Sequence, residues 1–262
     1  SWTASDAQIS DAVYEGYALQ AIDIPGAAEH PTALVQSTAM ASVAPPVPDY
    51  RPKLPKALLE DGILSGPQLE SVIYAGAAHE THLKGWFKPS ELEGQLMAAN
   101  EAEEGAFRLR KGWFLGDGTG CGKGRQVAGI ILDNWLRGRD RAVWVSKSDK
   151  LLEDAKRDWM ALGGLESDIV PLAKFRQGSD IKLNRGILFV TYATLRSAER
   201  QHDGKVKASR LQQVVDWLGH GFDGVIAFDE GHAMANAAGE KSDRGDKKAS
   251  QQGIAGLSLQ NL

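Results

Sequence analysis

Residues 116–125 read Gly-Asp-Gly-Thr-Gly-Cys-Gly-Lys-Gly-Arg, between the short apolar run Trp113-Phe114-Leu115 and the apolar segment Val127-Ala128-Gly129-Ile130-Ile131-Leu132. That order predicts strand, glycine-rich turn, helix. Glycines let backbone N–H groups turn inward on an anion, and a helix N-terminus adds the positive end of its dipole. Lys123 comes next as a mobile point charge of the kind that reaches β- and γ-phosphates. The usual form of such a loop is Gly, four residues, then Gly-Lys-Ser/Thr. Here Asp117 stands at the first glycine position and Gly124 at the hydroxyl position. The first departure is cushioned by Gly116, Gly118 and Gly120. The second removes the hydroxyl that ordinarily ligates Mg²⁺.

The rest of the chain is consistent with an intracellular globular protein. It has 262 residues, 42% of them hydrophobic and 24% charged, room for one full core plus an appendage. No apolar run approaches the length of a membrane span, and no basic-then-apolar leader opens the chain. The single cysteine, Cys121, excludes an internal disulfide framework and a cysteine-based zinc site. Charge is uneven: residues 1–107 hold 5 Lys/Arg against 15 Asp/Glu, and residues 108–262 hold 25 against 19. The basic balance of the second part suits a polyanionic partner and equally suits a solvated surface. The acidic first part is expected to meet a protein partner or to pack on the sheet as an accessory layer.

The chain divides into two regions, an N-terminal extension (1–107) and an α/β lobe (108–262). In the extension, Val13–Tyr17 and Ile22–Ile24 read as short extended segments, and Leu34 to Val43 as a short helix. Five prolines between Pro45 and Pro55 make an extended connector. Ser65-Gly66-Pro67 predicts an N-cap and first turn, with Leu69, Val72, Ile73 and Gly76 on one face of the helix they open. Residues 88–106, from Pro89-Ser90-Glu91 to the acidic Glu101, Glu103 and Glu104, read as an exposed helix or insertion. From Arg110 onward the period is regular: strand Trp113–Leu115, helix Lys123–Leu136, strand Ala142–Val145, helix Leu151–Leu162, strand Ile169–Leu172, strand Ile187–Tyr192, a helix from about Thr194, helix Ser209–Leu218 and strand Val225–Phe228. Short apolar strands alternating with helices predict a doubly wound parallel sheet with ligands at the carboxyl ends of its strands.

The last strand ends in Asp229-Glu230-Gly231-His232. A carboxylate at a strand end on the edge that carries a phosphate loop suits a divalent cation, and a second beside it suits activation of water. With this box the chain resembles the superfamily-two helicases and translocases. More closely, the loop, His30-Pro31-Thr32, Met40-Ala41-Ser42-Val43-Ala44-Pro45-Pro46, Leu64-Ser65-Gly66-Pro67-Gln68-Leu69-Glu70 and Trp144-Val145-Ser146-Lys147-Ser148 resemble the strawberry notch family, in which Gly-Lys-Gly-Arg is the usual form. The resemblance covers nearly the whole chain and implies a RecA-like lobe that binds ATP and Mg²⁺. It gives phosphate contacts to Gly118, Thr119, Gly120, Cys121, Gly122, Lys123, Gly124 and Arg125, the cation to Asp229 and the attacking water to Glu230. Gln68 falls where the base is read. Ser146, Lys147, Ser148, Thr191 and Tyr192 fall where the lobe touches a nucleic-acid backbone, DNA in the first instance, although Ser and Thr at strand ends also serve as helix caps. The resemblance also implies that His232 couples the nucleotide site to a motif further along the chain.

No Ser-Ala-Thr string precedes Leu259-Gln260-Asn261-Leu262, and no second lobe is present. The expectation is the front part of a larger protein that binds nucleotide weakly, hydrolyses it poorly and does not unwind duplex by itself. Two other readings stay open. Ser146-Lys147-Ser148-Asp149 mimics a guanine reader, though it precedes the metal-binding box where GTPases place it after. A degenerate loop could also serve a protein-binding scaffold that does not turn over nucleotide. Cys121 is a redox candidate or an inert small side chain. His79 and His82 offer a weak metal pair, and the polar segment Glu240–Lys248 a solvated loop with lysines for DNA.

Overall fold

The computed structural model describes residues 13–90, 96–196, 200–202, 205–219 and 221–234. The segment Glu240–Lys248 and the last four residues lie outside them. In chain order the elements are β1 (Tyr14–Gly16), β2 (Val35–Ser37), α1 (Thr38–Ala41), α2 (Ala57–Glu60), α3 (Gly66–His79), β3 (Trp86–Pro89), β4 (Leu96–Ala99), α4 (Lys123–Leu136), β5 (Arg141–Ser146), α5 (Leu152–Ala161), β6 (Ile169–Pro171), β7 (Gly186–Thr191), α6 (Tyr192–Leu195), β8 (Arg200–His202), β9 (Lys205–Lys207), α7 (Arg210–Leu218) and β10 (Val225–Phe228).

The scaffold is a four-stranded, all-parallel sheet in the order β10-β5-β7-β6. Val143 of β5 pairs with Ile226 and Leu188, and Ser146 with Thr191. β5 and β7 are buried almost end to end, because helices cover both faces. Side chains alternate across a strand, so one apolar run feeds two cores. Ala142, Trp144, Ile187 and Phe189 pack with α3, α4 and α5, alongside Leu69, Val72, Ile131 and Trp159. Val143, Val145, Leu188 and Val190 pack on the other side with Tyr192, Leu195, Val214 and Trp217. This is the α/β doubly wound arrangement of a RecA-like fold.

Residues 17–53 are fastened to the layer formed by α3 and α4. Helix α3 begins at Ser65, whose N–H donates to Gln68 Oε1 at 3.1 Å, and carries Pro67 in the first turn. Glu70, 4% exposed, accepts from the Tyr17 hydroxyl and, at 2.6 Å, from the Gln20 N–H. Burial pushes its carboxyl up, against the pull of those two donors. The proline-rich connector has neither helix nor strand and is fastened by Tyr50, whose hydroxyl donates to buried Asp133 on α4 while Arg137 stacks 4.7 Å above its ring. Lys53 N–H donates to the same carboxylate at 2.5 Å.

The Tyr50 ring lies where a side chain at Gly76 would begin: a Cβ there would stand 2.0 Å from Tyr50 Cε1. Gly→Ala inside a helix ordinarily stabilises. Gly76→Ala is expected instead to destabilise by about 1–3 kcal/mol through overpacking. Urea unfolding checks this, and a midpoint equal to or above the wild type's would refute it.

Three expectations are corrected. Residues 113–115 form no strand. Trp113 stacks on Tyr74 of α3, with ring centroids 6.1 Å apart and planes within 9°, and Phe114 is 87% exposed, so the run leans on the helical layer rather than joining the sheet. Residues 88–106 hold no helix among those described. Phe87 and Phe107 exchange two backbone hydrogen bonds of 2.8 Å, and β3 pairs antiparallel with β4, because this tertiary pairing outweighs the helix-like composition. Between Leu34 and Val43, β2 precedes the four-residue α1 and pairs with β1. His82 lies beyond the end of α3, and burial with Arg110 and Arg139 pushes His79 down to about 4. Among the described residues no group of His, Cys, Asp and Glu is clustered to hold a metal, and no helix is long and apolar enough to cross a membrane.

Candidate nucleotide site

The loop of residues 116–122 opens α4 at the carboxyl edge of the sheet. α4 returns to the opposite edge, where β5 starts three residues after Gly138, so its N-terminus lies on the same side as the ends of β5, β7 and β10. Gly122 caps α4 in the left-handed region (φ 71°, ψ 40°) and Gly120 has φ 93°. Both conformations favour glycine. Gly122 has a second reason, since a Cβ there would stand 2.4 Å from Gln68 Nε2. Gly118, Thr119 and Gly120 are exposed, and Cys121 is half-buried.

Lys123 folds back over the loop, its Nζ donating to the carbonyls of Asp117 (2.9 Å) and Gly118 (3.0 Å). An ammonium whose partners among the described residues are two exposed carbonyls can exchange them for phosphate oxygens. Beneath it, Gln126 is 1% exposed and donates to Asp117 Oδ2 (2.8 Å) and Cys121 O (3.1 Å). Gln68 reaches the loop from α3, its Nε2 lying 3.4 Å from Cys121 O while its Oε1 accepts from Ser65. Its amide is therefore spent inside the protein in this conformation.

Gly124 explains the absent hydroxyl. A Cβ at this position would fall 2.2 Å from Asp158 Oδ2 on α5, so that carboxylate occupies the space of a side chain. Asp158 also accepts from Arg125 Nε at 3.3 Å, and Arg125 donates onward to Ile63 O at 3.2 Å. Arg125 therefore braces α4 against α5 and against the turn between α2 and α3. Sequence reasoning misses both Asp158 and Gln126. The one signal for Asp158 is the unusual glycine itself, since a glycine in a helix often marks a close approach.

Across the edge, Asp229 succeeds β10 and continues the ladder, its N–H donating to Val145 O at 2.8 Å. Ser146 Oγ donates to Asp229 Oδ2 at 3.0 Å, and the Tyr192 hydroxyl donates to Asp229 O at 2.9 Å. Ser146 and Tyr192 are 0% and 2% exposed, so β5 fixes the Asp229 carboxylate through Ser146 and α6 fixes its backbone carbonyl through Tyr192. Burial, then the charges of Asp229 and Glu230, push the Tyr192 phenol well up, so it stays a donor. Glu230 has φ 53°, a strained value for a residue with a side chain. Its Oε2 lies 3.2 Å from His232 Nδ1 in the turn Gly231–Met234.

The five residues assigned to a nucleic-acid backbone divide. Ser146, Thr191 and Tyr192 are buried and use their hydroxyls internally, Thr191 as the N-cap of α6 (3.2 Å from Thr194 N). Lys147 is exposed, and Ser148 caps the turn Asp149–Leu151 at the surface.

A left-handed glycine cap at a helix N-terminus, a lysine folded on its loop and a strand-end carboxylate on the same edge of a parallel sheet define a P-loop nucleotide hydrolase fold. Comparison with known proteins agrees: the family described as P-loop containing NTP hydrolase pore-1 matches residues 29–262. The chain is 37% identical over 237 residues to human "Protein strawberry notch homolog 1", covering 88% of this chain and 15% of that protein. It is 37% identical over 213 residues to Drosophila melanogaster "Protein strawberry notch" and 34% identical over 215 residues to Arabidopsis thaliana "Protein FORGETTER 1". These matches cover 79% and 80% of this chain, and 12% and 14% of those proteins. No solved structure matches. The chain belongs to the strawberry notch-like family of P-loop NTP hydrolases, and it spans well under a fifth of the length of those relatives.

Proposed function

We propose that this chain is the first nucleotide-binding lobe of an ATP-driven, helicase-type translocase that acts on nucleic acid. The observation that carries the reading is Asp229, held by Ser146 and Tyr192 on the edge of the sheet where Lys123 and the glycine loop open α4. The donor set fits a nucleoside triphosphate with a divalent cation, ATP and Mg²⁺ in this reading. Loop N–H groups and Lys123 would hold the phosphates, Asp229 would hold the cation, and Gln68 lies beside the loop for the base. When bound, the cation would neutralise charge on the phosphates. Glu230 takes the proton of the attacking water, and His232, against its carboxylate, links that event to neighbouring structure. Nucleic acid is engaged from Lys147 and Ser148, with a second lobe closing on the nucleotide and a protein partner on the acidic extension.

Glu230→Gln tests the chemical step. It is expected to leave ATP binding intact and to lower turnover roughly 10²- to 10⁴-fold, the span typical of a general base. Single-turnover hydrolysis with Mg²⁺ and oligonucleotide reads this, and an unchanged rate would overturn the role. A second reading, a scaffold that binds nucleotide without turning it over, is favoured by one observation: Asp158 fills the place of the cation-ligating hydroxyl at Gly124. Saturable binding with no hydrolysis above buffer would select it.

A further inference from the structure

The start of the extension turns its two sides the opposite way from a strand pair that stands alone. Strand residues alternate in direction, and a pair packed on one face ordinarily sends its apolar members inward. In β1–β2, Tyr14 and Gly16 share one face with Ser37 and Val35, while Glu15 and Gln36 share the other. The polar face is the one that meets the protein. Gln36 Nε2 donates to Glu15 Oε1 at 3.0 Å, and Gln36 Oε1 accepts from Gln20 Nε2 at 2.9 Å. Gln20 is fixed to α3 in turn, its carbonyl accepting from the Tyr74 hydroxyl at 2.6 Å. The apolar face points outward, with Tyr14 61% and Val35 67% exposed.

The neighbouring residues continue that face. Val13 O accepts from the Thr38 N–H at 3.1 Å, which sets β1 beside α1. Helix α1 buries none of its residues, and its Met40 is 75% exposed. Val43 and Val47 follow, both exposed. Of the twelve large apolar side chains exposed among the described residues, six lie between Val13 and Val47. Single exposed apolar residues are ordinary, whereas a concentration of them marks an interaction surface.

Charge decides what kind of partner fits. No lysine or arginine precedes Arg51, against six acidic residues in the same stretch. Glu15, Asp23, Glu29 and Asp49 are exposed, and none forms an ion pair among the described residues. Such a field repels a polyanion, whether nucleic acid or an anionic membrane. Two copies packed face to face would set the same acidic segment against itself. The complement is a surface that is cationic and apolar at once.

We infer that the outward face of β1–β2 and α1 is a docking surface for a cationic, apolar segment of a partner protein. Tyr14, Val35 and Met40 receive its apolar side chains, and the acidic surroundings attract its lysines and arginines. The inference rests on the reading above that the acidic extension meets a protein partner. It adds the surface and the chemistry of that partner.

The test uses the whole chain and three fluorescently labelled synthetic peptides, which alternate lysine with valine, lysine with serine, or glutamate with valine. By anisotropy, the lysine–valine peptide is expected to bind at least about tenfold more tightly than either of the others, and to weaken as salt rises. The triple change Tyr14→Ser, Val35→Ser, Met40→Ser is expected to weaken its binding at least about tenfold. The apolar set Tyr14→Phe, Val35→Ile, Met40→Leu is expected to retain it.

In the unaltered chain, bound lysine–valine peptide is expected to protect Met40 from peroxide oxidation, read by mass spectrometry, and to leave exposed Met160 on α5 unprotected. This holds the proposal to account even if the triple variant folds poorly. Lysine–valine binding that the triple variant reproduces, or that the lysine–serine peptide equals, with Met40 unprotected, overturns the apolar surface and leaves a protein partner on the acidic extension standing. Binding of none of the three peptides overturns both. Preference for the glutamate–valine peptide overturns the cationic assignment. A dimer in sedimentation that Val35→Asp dissolves assigns the face to a second copy, and protection of Met40 by phosphatidylcholine vesicles assigns it to lipid. Either result overturns the proposal.

Discussion

Lys123→Ala is expected to raise the dissociation constant for a fluorescent ATP analogue with Mg²⁺ by roughly 10- to 150-fold, the equivalent of one charged hydrogen bond of about 1.5–3 kcal/mol. The reasoning starts from where the ammonium rests. Its two contacts are carbonyls of Asp117 and Gly118, on an exposed loop, so its transfer to phosphate exchanges neutral acceptors for charged ones. The fold should survive, because the lysine contributes no ion pair among the described residues and packs no core. Titration of both proteins, with circular dichroism to confirm folding, checks it. Equal affinity in the two would show that nucleotide is not bound through this loop.

The second large effect concerns Gly124 and reverses an ordinary sign. In a helix interior, Gly→Ala gains about 0.5–1 kcal/mol. At Gly124 the added Cβ meets Asp158 Oδ2 at 2.2 Å, and Asp158 cannot swing away without surrendering Arg125. Its side chain is only 15% exposed, so water replaces that partner poorly. Gly124→Ala is therefore expected to destabilise by about 1–3 kcal/mol, and Gly124→Thr by at least as much. In an Asp158→Ala background the same Gly124→Ala change should become neutral or stabilising, a coupling of about 1 kcal/mol or more. Urea denaturation of the four proteins measures it. Additive effects would mean that the carboxylate is not what excludes a side chain here. The cycle also bears on chemistry, because the residue that replaces the usual hydroxyl is packing against a carboxylate rather than simply missing.

Much of the lobe was legible because its signals are local. Helix Lys123–Leu136 and strand Val225–Phe228 stand where apolar periodicity and glycine punctuation placed them. The two-sided burial of β5 and β7 comes from runs with no polar member at alternate positions. The run Trp113-Phe114-Leu115 was legible as apolar and not as unpaired. Pairing needs a neighbour, and Tyr74, from 39 residues earlier, offers Trp113 a flat ring instead. Residues 88–106 went the same way, since the mutual hydrogen bonds of Phe87 and Phe107 join positions twenty apart.

The candidate site divides along the same line. Lys123, the loop glycines, Asp229 and Glu230 could be named from the chain because phosphate and cation chemistry demands those residue types beside a turn or a strand end. That Ser146 and Tyr192 grip Asp229 rather than face a ligand was decided by sheet register, which sets β5 between β7 and β10. That Asp158 stands over Gly124 was decided by helix packing. By itself the sequence determined the alternation of strand and helix, the phosphate loop and the acidic strand end, all written in spacings of a few residues. Only the tertiary structure decided which polar side chains are spent on one another and which stay free. That choice depends on contacts between residues tens of positions apart, and no local pattern encodes them.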